Sequence, residues 1–121
     1  MPINPISGPG YDLLKVALDA TSLRHQVIAS NIANSSTENY QPLRVSFEAQ
    51  LQQEISSSGA LGKDIATHIT PRVENDPDSA GVTVDQEMVH LTQNFIHHQA
   101  LLKALNNQLE LTSLAINEGK R

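Results

Sequence analysis

The residues best suited to chemistry are the five histidines, His25, His68, His90, His97 and His98. His90, His97 and His98 fall in one stretch near the C-terminus. On a helix His90 and His97 share a face but stand about two turns apart, too far to hold one metal ion. No His-Glu-x-x-His spacing occurs. Solvated or interface histidines are therefore expected. Glu74, Asp76 and Asp78 look like an acidic ligand set. They lack the central glycine and the closing glutamate of a calcium loop, so a solvated charged loop is expected instead. The serines sit in no Gly-x-Ser-x-Gly elbow and no glycine-rich phosphate loop is present. Asn31, Asn34 and Asn39 have no catalytic partner at a recognisable spacing. These residues point away from an enzyme, and no cofactor, metal or small-molecule substrate is expected.

Composition narrows the choice further. The chain has 121 residues, two Phe, two Tyr, no Trp and no Cys. That length suits one domain, and so few aromatics cannot fill a thick core. The absence of cysteine excludes disulfides and thiolate chemistry. Eight Lys plus Arg against thirteen Asp plus Glu give a net charge of −5. Scattered cations on an acidic chain leave no footprint for a phosphate backbone, so no nucleic-acid partner is expected. Met1 to Ile6 lacks the basic start and apolar run of a secretory signal. No stretch reaches the roughly 18 apolar residues that span a bilayer.

Apolar spacing predicts two long helices. Over residues 11–34 the apolar positions Leu13, Val16, Ala17, Ala20, Leu23, Val27, Ile28 and Ile32 step by three and four, which places them on one face. Asp12 falls in the first turn, where its charge favours the helix dipole. Over residues 84–117 a heptad reading from Met88 puts Met88, Phe95, Leu102, Leu109 and Ile116 at a. It puts Leu91, His98, Leu105 and Thr112 at d. An apolar a row sustained over about four heptads predicts a packing seam, with His98 as a polar residue that sets its register. Asp85 and Glu87 in the first turn and Lys120-Arg121 beyond the last suit the dipole of this helix, and Gly119 suits its end.

Between the helices the signals weaken. Residues 1–10, with Pro2, Pro5 and Pro9, read as a flexible lead-in. Asn34 to Asn39 reads as a polar turn and Tyr40 to Val45 as extended chain, with Pro42 holding Gln41 out of the helical region. Ser46 is placed to cap a short helix over Phe47 to Ile55. Residues 56–83, rich in Gly, Pro and charge, read as a mobile segment with a short extended piece over Ile65 to Val73. The expected fold is thus mainly α: long N- and C-terminal amphipathic helices packed as a coiled coil, parallel or antiparallel, with an irregular, partly extended, mobile middle. All 121 residues form one domain. Each exposed Leu, Ile or Phe of a seam forgoes about 1.5–3 kcal/mol. Two helices leave such surface uncovered, so burial by other subunits is expected, with a partly ordered monomer.

One segment is more specific. Ile28-Ala29-Ser30-Asn31-Ile32-Ala33-Asn34-Ser35-Ser36-Thr37-Glu38-Asn39-Tyr40 closely resembles the N-terminal signature of bacterial flagellar rod and hook axial proteins. There an amphipathic helix ends in Ser-Asn-Ile-Ala-Asn, followed by a small-polar turn and an aromatic residue. Asn31, Ile32, Ala33, Asn34, Thr37 and Tyr40 carry the match. Asn39 stands where the family commonly has Gly, and Asn tolerates the left-handed conformation. Val84-Asp85-Gln86-Glu87-Met88 and Gln99-Ala100-Leu101-Leu102-Lys103-Ala104-Leu105-Asn106 resemble the C-terminal helix of a proximal rod member, with His98 where Tyr is common. The resemblance implies a non-enzymatic structural subunit exported by the flagellar type III apparatus without a cleaved Sec signal. It would assemble in the periplasmic rod of the basal body with its own copies, other rod proteins and the base of the rod at the membrane ring. The implied interface is the two helical seams: Leu13, Val16, Ala20, Leu23 and Val27 on the first, and Met88, Leu91, Phe95, His98, Leu102, Leu105, Leu109 and Ile116 on the second. Another rod subunit of the family, or a soluble helical partner-binding or chaperone-type protein, is the alternative.

Overall fold

The computed structural model describes residues 9–58, 69–77 and 81–119. In chain order the elements are α1 (Pro9–Ala33), β1 (Leu43–Ser46), α2 (Glu48–Ser58), β2 (Arg72–Asn75) and α3 (Val84–Gly119). Both long helices form where the apolar spacing predicts, with ends shifted by one or two residues. Pro9 opens α1, a position where its missing N–H costs nothing. Thr83 accepts the first bond of α3 from Glu87 N–H at 3.0 Å, which makes it the N-cap. Among the described residues no helix is long and apolar enough to cross a membrane.

The helices run antiparallel. Thr21 of α1 meets Asn94 and His98 of α3, while Asn31, ten residues on, meets Glu87. At that pace Pro9 lies level with about residue 109. The last turns of α3, about ten residues and 15 Å, extend past the start of α1.

The middle of the chain folds against α1. β1 and β2 pair antiparallel, with Leu43 opposite Asn75 and Ser46 opposite Arg72. Extended chain was expected at both places, and β2 overlaps the end of the expected Ile65–Val73 piece. The rest of that piece, the lead-in before Pro9, and 59–68 and 78–80 of the segment expected to be mobile lie outside the described residues. A small core holds Ala20, Phe47 and Ile69, with Leu13, Val16, Ala17 and Leu51 against it. The capping role expected of Ser46 is corrected. Ser46 ends β1, Phe47 provides the carbonyl for Leu51 N–H at 3.0 Å, and α2 begins at Glu48. Burying Phe47 between α1 and the Ile69 segment requires the chain to stay extended through Ser46, which moves the helix start forward.

Candidate functional site

The turn after α1 is built by its own polar side chains. Asn34 N–H and Asn34 Nδ2 both donate to the Ser30 carbonyl, at 3.0 and 2.9 Å. Thr37 Oγ1 donates back to Asn34 Oδ1 at 3.2 Å. Asn39 then adopts φ 62°, the left-handed conformation its place in the motif predicts. This reversal carries Tyr40 back over α1, where its hydroxyl reaches Ser30 Oγ at 3.4 Å and donates to Asn31 Oδ1 at 3.3 Å.

Asn31 is the hub of this junction, with 1% of its surface exposed. Its Nδ2 donates to the Leu43 carbonyl at 2.8 Å and to Glu87 Oε2 at 3.2 Å. Its Oδ1 accepts from Leu43 N–H at 3.0 Å and from Tyr40. Both donors and both lone pairs are thereby used. Toward Leu43 the amide acts as a strand would, closing the edge of β1 that β2 does not pair. One side chain thus joins α1, β1 and the first turn of α3. A buried polar group fixed on all sides specifies one arrangement, because any slip leaves donors and acceptors unpaired.

Arg24 makes a second tie two turns earlier. Its guanidinium donates to the Val45 carbonyl at 2.7 Å, pairs with Glu48 at 2.7 Å and lies 5.3 Å over the Phe47 ring. Burial pushes the Glu48 carboxyl up. Bonds from its own backbone N–H, Arg24 and Phe47 N–H, with the Arg24 charge, outweigh that and hold it below the usual value. Gln50 grips both backbone groups of Thr70 at 2.8 and 2.9 Å, which fastens the chain entering β2 onto α2.

The α1–α3 contact corrects the heptad frame. The row facing α1 runs Glu87, Leu91, Asn94, His98, Leu102 and Leu105; its two buried members are polar. Of the expected a positions, Leu102 is half-buried, whereas Met88, Phe95, Leu109 and Ile116 are exposed, Phe95 by 59%. The d positions Leu91, His98, Leu105 and Thr112 are half-buried. The cause is chemical: α1 presents an amide at Asn31 and a carbonyl at Thr21, and α3 turns Glu87 and Asn94 toward them, so the a row apart from Leu102 rolls outward. Asn94 Nδ2 donates to the Thr21 carbonyl at 2.8 Å. Thr21 Oγ1 gives its single proton to the Leu18 carbonyl at 2.9 Å, so His98 Nδ1, at 2.7 Å, is the donor to that oxygen. His98 therefore sits in the seam and makes a position-specific contact.

On α1, Ala20 and Val27 are buried and Leu13, Val16 and Leu23 half-buried. Of the motif, Asn31 is buried, Ile32, Asn34 and Tyr40 are half-buried, and Ala33 and Thr37 are exposed. Sequence reasoning missed Arg24, Glu87 and Asn94; only the seven-residue spacing of the last two hinted at a shared row. Glu74 pairs with Arg44 at 3.3 Å rather than joining an acidic cluster, and Asp78 lies outside the described residues. Among the described residues no three His, Asp or Glu side chains could hold a metal ion.

Two grooves flank the α1–α3 contact at Asn94. One, about 350 Å³, lies on the β1 side and is walled by Arg24, Arg44, Asp76, Glu87, His90 and His97. The other, about 340 Å³, lies on the side β1 does not cover and is lined by Thr21, Ser22, His25, Gln26, Phe95 and His98. In the second groove the Thr21 hydroxyl is already committed to the Leu18 carbonyl and to His98.

Comparison with known proteins identifies what is being positioned. Residues 16–41, the C-terminal part of α1 with the turn through Tyr40, match the family described as flagella basal body rod protein. The flagellar basal body rod protein FlgB of Bacillus subtilis (strain 168) is 32% identical, over 88% of this chain and 92% of its own. That of Escherichia coli (strain K12) is 30% identical, over 78% and 83%. That of Borrelia hermsii is 47% identical, over 40% and 36%. With similarity covering most of the chain, and the Asn31 junction inside the matched family segment, the chain belongs to the flagellar basal body rod protein FlgB family and is a structural protein rather than an enzyme.

Proposed function

We propose that the chain is a subunit of the proximal rod, which it builds by packing its terminal helices against its own copies, other rod proteins and the base of the rod at the membrane ring. In this role it transmits torque and helps to wall the channel through which later subunits pass. It reaches the periplasm through the flagellar type III export apparatus.

The observation that carries this reading is the open seam of α3. Met88, Val89, Phe95, Ile96, Leu111 and Leu114 are exposed along one helix. Each forgoes about 1.5–3 kcal/mol until a neighbour covers it. A run of apolar residues on one exposed helix marks a surface made for association. Of the seam residues expected at the assembly interface, Leu13, Val16 and Ala20 pack in the subunit's own small core and Val27 is buried, so they are not open to neighbours, whereas Met88, Phe95, Leu109 and Ile116 are exposed.

Deletion of the gene with complementation tests the reading. Loss of rods, hooks and filaments, restored by the intact chain, is expected. A deletion strain that still assembles all three would reject it.

A further inference from the structure

β2 gives one edge to β1 and leaves the other bare. Asp76 N–H donates to the Pro42 carbonyl at 2.9 Å, and in this register that puts Arg44–Glu74 and Ser46–Arg72 at the hydrogen-bonded positions of the ladder. Leu43 and Val45 therefore turn their backbone groups away from β2. Asn31 takes both groups of Leu43, and Arg24 takes the Val45 carbonyl. By the same parity Val73 and Asn75 turn theirs away from β1. Among the described residues no group bonds to that outer edge. All four residues of β2 are exposed, Val73 by 46%. A bare edge is a template for a further strand.

The side chains of β2 select which strand fits. Glu74 stands opposite Arg44 and pairs with it at 3.3 Å, whereas Arg72 stands opposite Ser46 and faces no carboxylate among the described residues. An antiparallel strand bonded to Val73 sets one residue directly opposite Arg72 and another opposite Glu74. Opposite charges at such positions stabilise the pair and like charges weaken it. Read in its own direction, the fitting strand is basic, apolar, acidic. That is the order of Arg72-Val73-Glu74 itself. A second β2, turned end for end about Val73, therefore sets Arg72 against Glu74 twice. The two Val73 residues exchange both backbone bonds, and each Asn75 N–H meets the Pro71 carbonyl of the other copy. A register centred on Glu74 keeps the same parity but sets two carboxylates face to face, which disfavours it.

We infer that β2 pairs with the β2 of a second copy, antiparallel and centred on Val73, which joins two hairpins into one four-stranded sheet. The contact goes beyond the rod-subunit reading and does not rest on it. It uses neither terminal helix, and an isologous contact closes after two copies, so it belongs to the free chain and not to an array. It covers the edge that would otherwise pair with other chains.

The chain has no cysteine, so an introduced one reports the register directly. In the inferred pair the two Val73 Cα atoms lie about 5.5 Å apart, within disulfide reach. The two Asn75 Cα atoms are four residues out of step, about 13 Å, and cannot bridge. So short an interface is weak, and oxidation is read on the full-length chain at about 1 mM. Val73→Cys should give about tenfold more disulfide dimer than Asn75→Cys. Adding Arg72→Glu or Glu74→Arg to the Val73→Cys chain sets like charges opposite each other and should lower the yield about tenfold, with the circular dichroism unchanged. Mixing those two charge variants should restore the yield as the mixed dimer. In the unsubstituted chain, exchange protection at Val73 N–H and Asn75 N–H should rise with concentration. Equal yields from Val73→Cys and Asn75→Cys, or no restoration on mixing, would overturn the inference. So would protection at Val73 N–H that is independent of concentration, the mark of an edge covered within one chain.

Discussion

The two ends of the α1–α3 pair are built in opposite ways. At the end where α1 stops, one amide, Asn31, holds β1, Tyr40 and the first turn of α3 at once, and Arg24 fastens β1 and α2 below it. At the other end α3 runs on past α1 with Leu111 and Leu114 in solvent. The first end spends its side chains inside the subunit. The second withholds them. Propensity does not explain the difference, since both are regular helix. What differs is whether a partner element exists among the described residues. A subunit that must fix its own shape before joining others needs one end closed and one open.

That contrast can be broken at either end. Leu102→Pro lies between them and should be the most damaging change. It removes a half-buried side chain and a helical hydrogen bond and kinks α3, for about 4 kcal/mol or more. Chemical denaturation should show the loss and the variant should be non-motile; normal motility would contradict the role given to α3. Phe47→Ala empties the small core between α1 and the Ile69 segment and should cost about 3–5 kcal/mol in the same measurement. Asn31→Leu keeps the size but strands the Leu43 N–H and carbonyl and takes a donor from Glu87. About 2–4 kcal/mol should be lost, with exchange protection at Leu43 N–H disappearing first. A loss under about 0.5 kcal/mol would mean the junction is not held by this amide.

The smallest expected effect is that of acid on Glu48. Its folded-state carboxyl is held below the unfolded value, so its contribution is complete above the usual carboxylate range and fades as pH falls through that range and below. The Glu48 side chain is about half exposed, so solvent screening keeps the effect small. Thermal melts from neutral pH downward should therefore show a slight loss confined to acid, and Glu48→Gln should remove that part of the pH dependence.

The closed end was legible in its parts but not in its wiring. The periodicity of Leu13 to Ile32 predicts α1, the Asn34 to Asn39 cluster predicts the turn, and Asn39 is placed where left-handed backbone is needed. Nothing in the spacing of Asn31, Leu43 and Glu87 says that they meet, because that contact depends on how three elements pack and not on any local pattern. The open end was legible as apolar surface in excess. Its orientation was not, since a heptad frame assumes that apolar residues face the nearest helix. Here polar groups on α1 select Glu87 and Asn94 instead, and the strict a row turns outward.

The central claim is that the protruding end of α3 serves assembly and not the fold. A variant carrying both Leu111→Ser and Leu114→Ser tests it, followed by thermal denaturation of the purified chain and by rod assembly in the deletion strain. The account predicts a melting midpoint within about 2 °C of the parent, as surface substitutions give, together with a failure to form rods. A chain that melts well below the parent, or one that restores rods and motility in full, would contradict it.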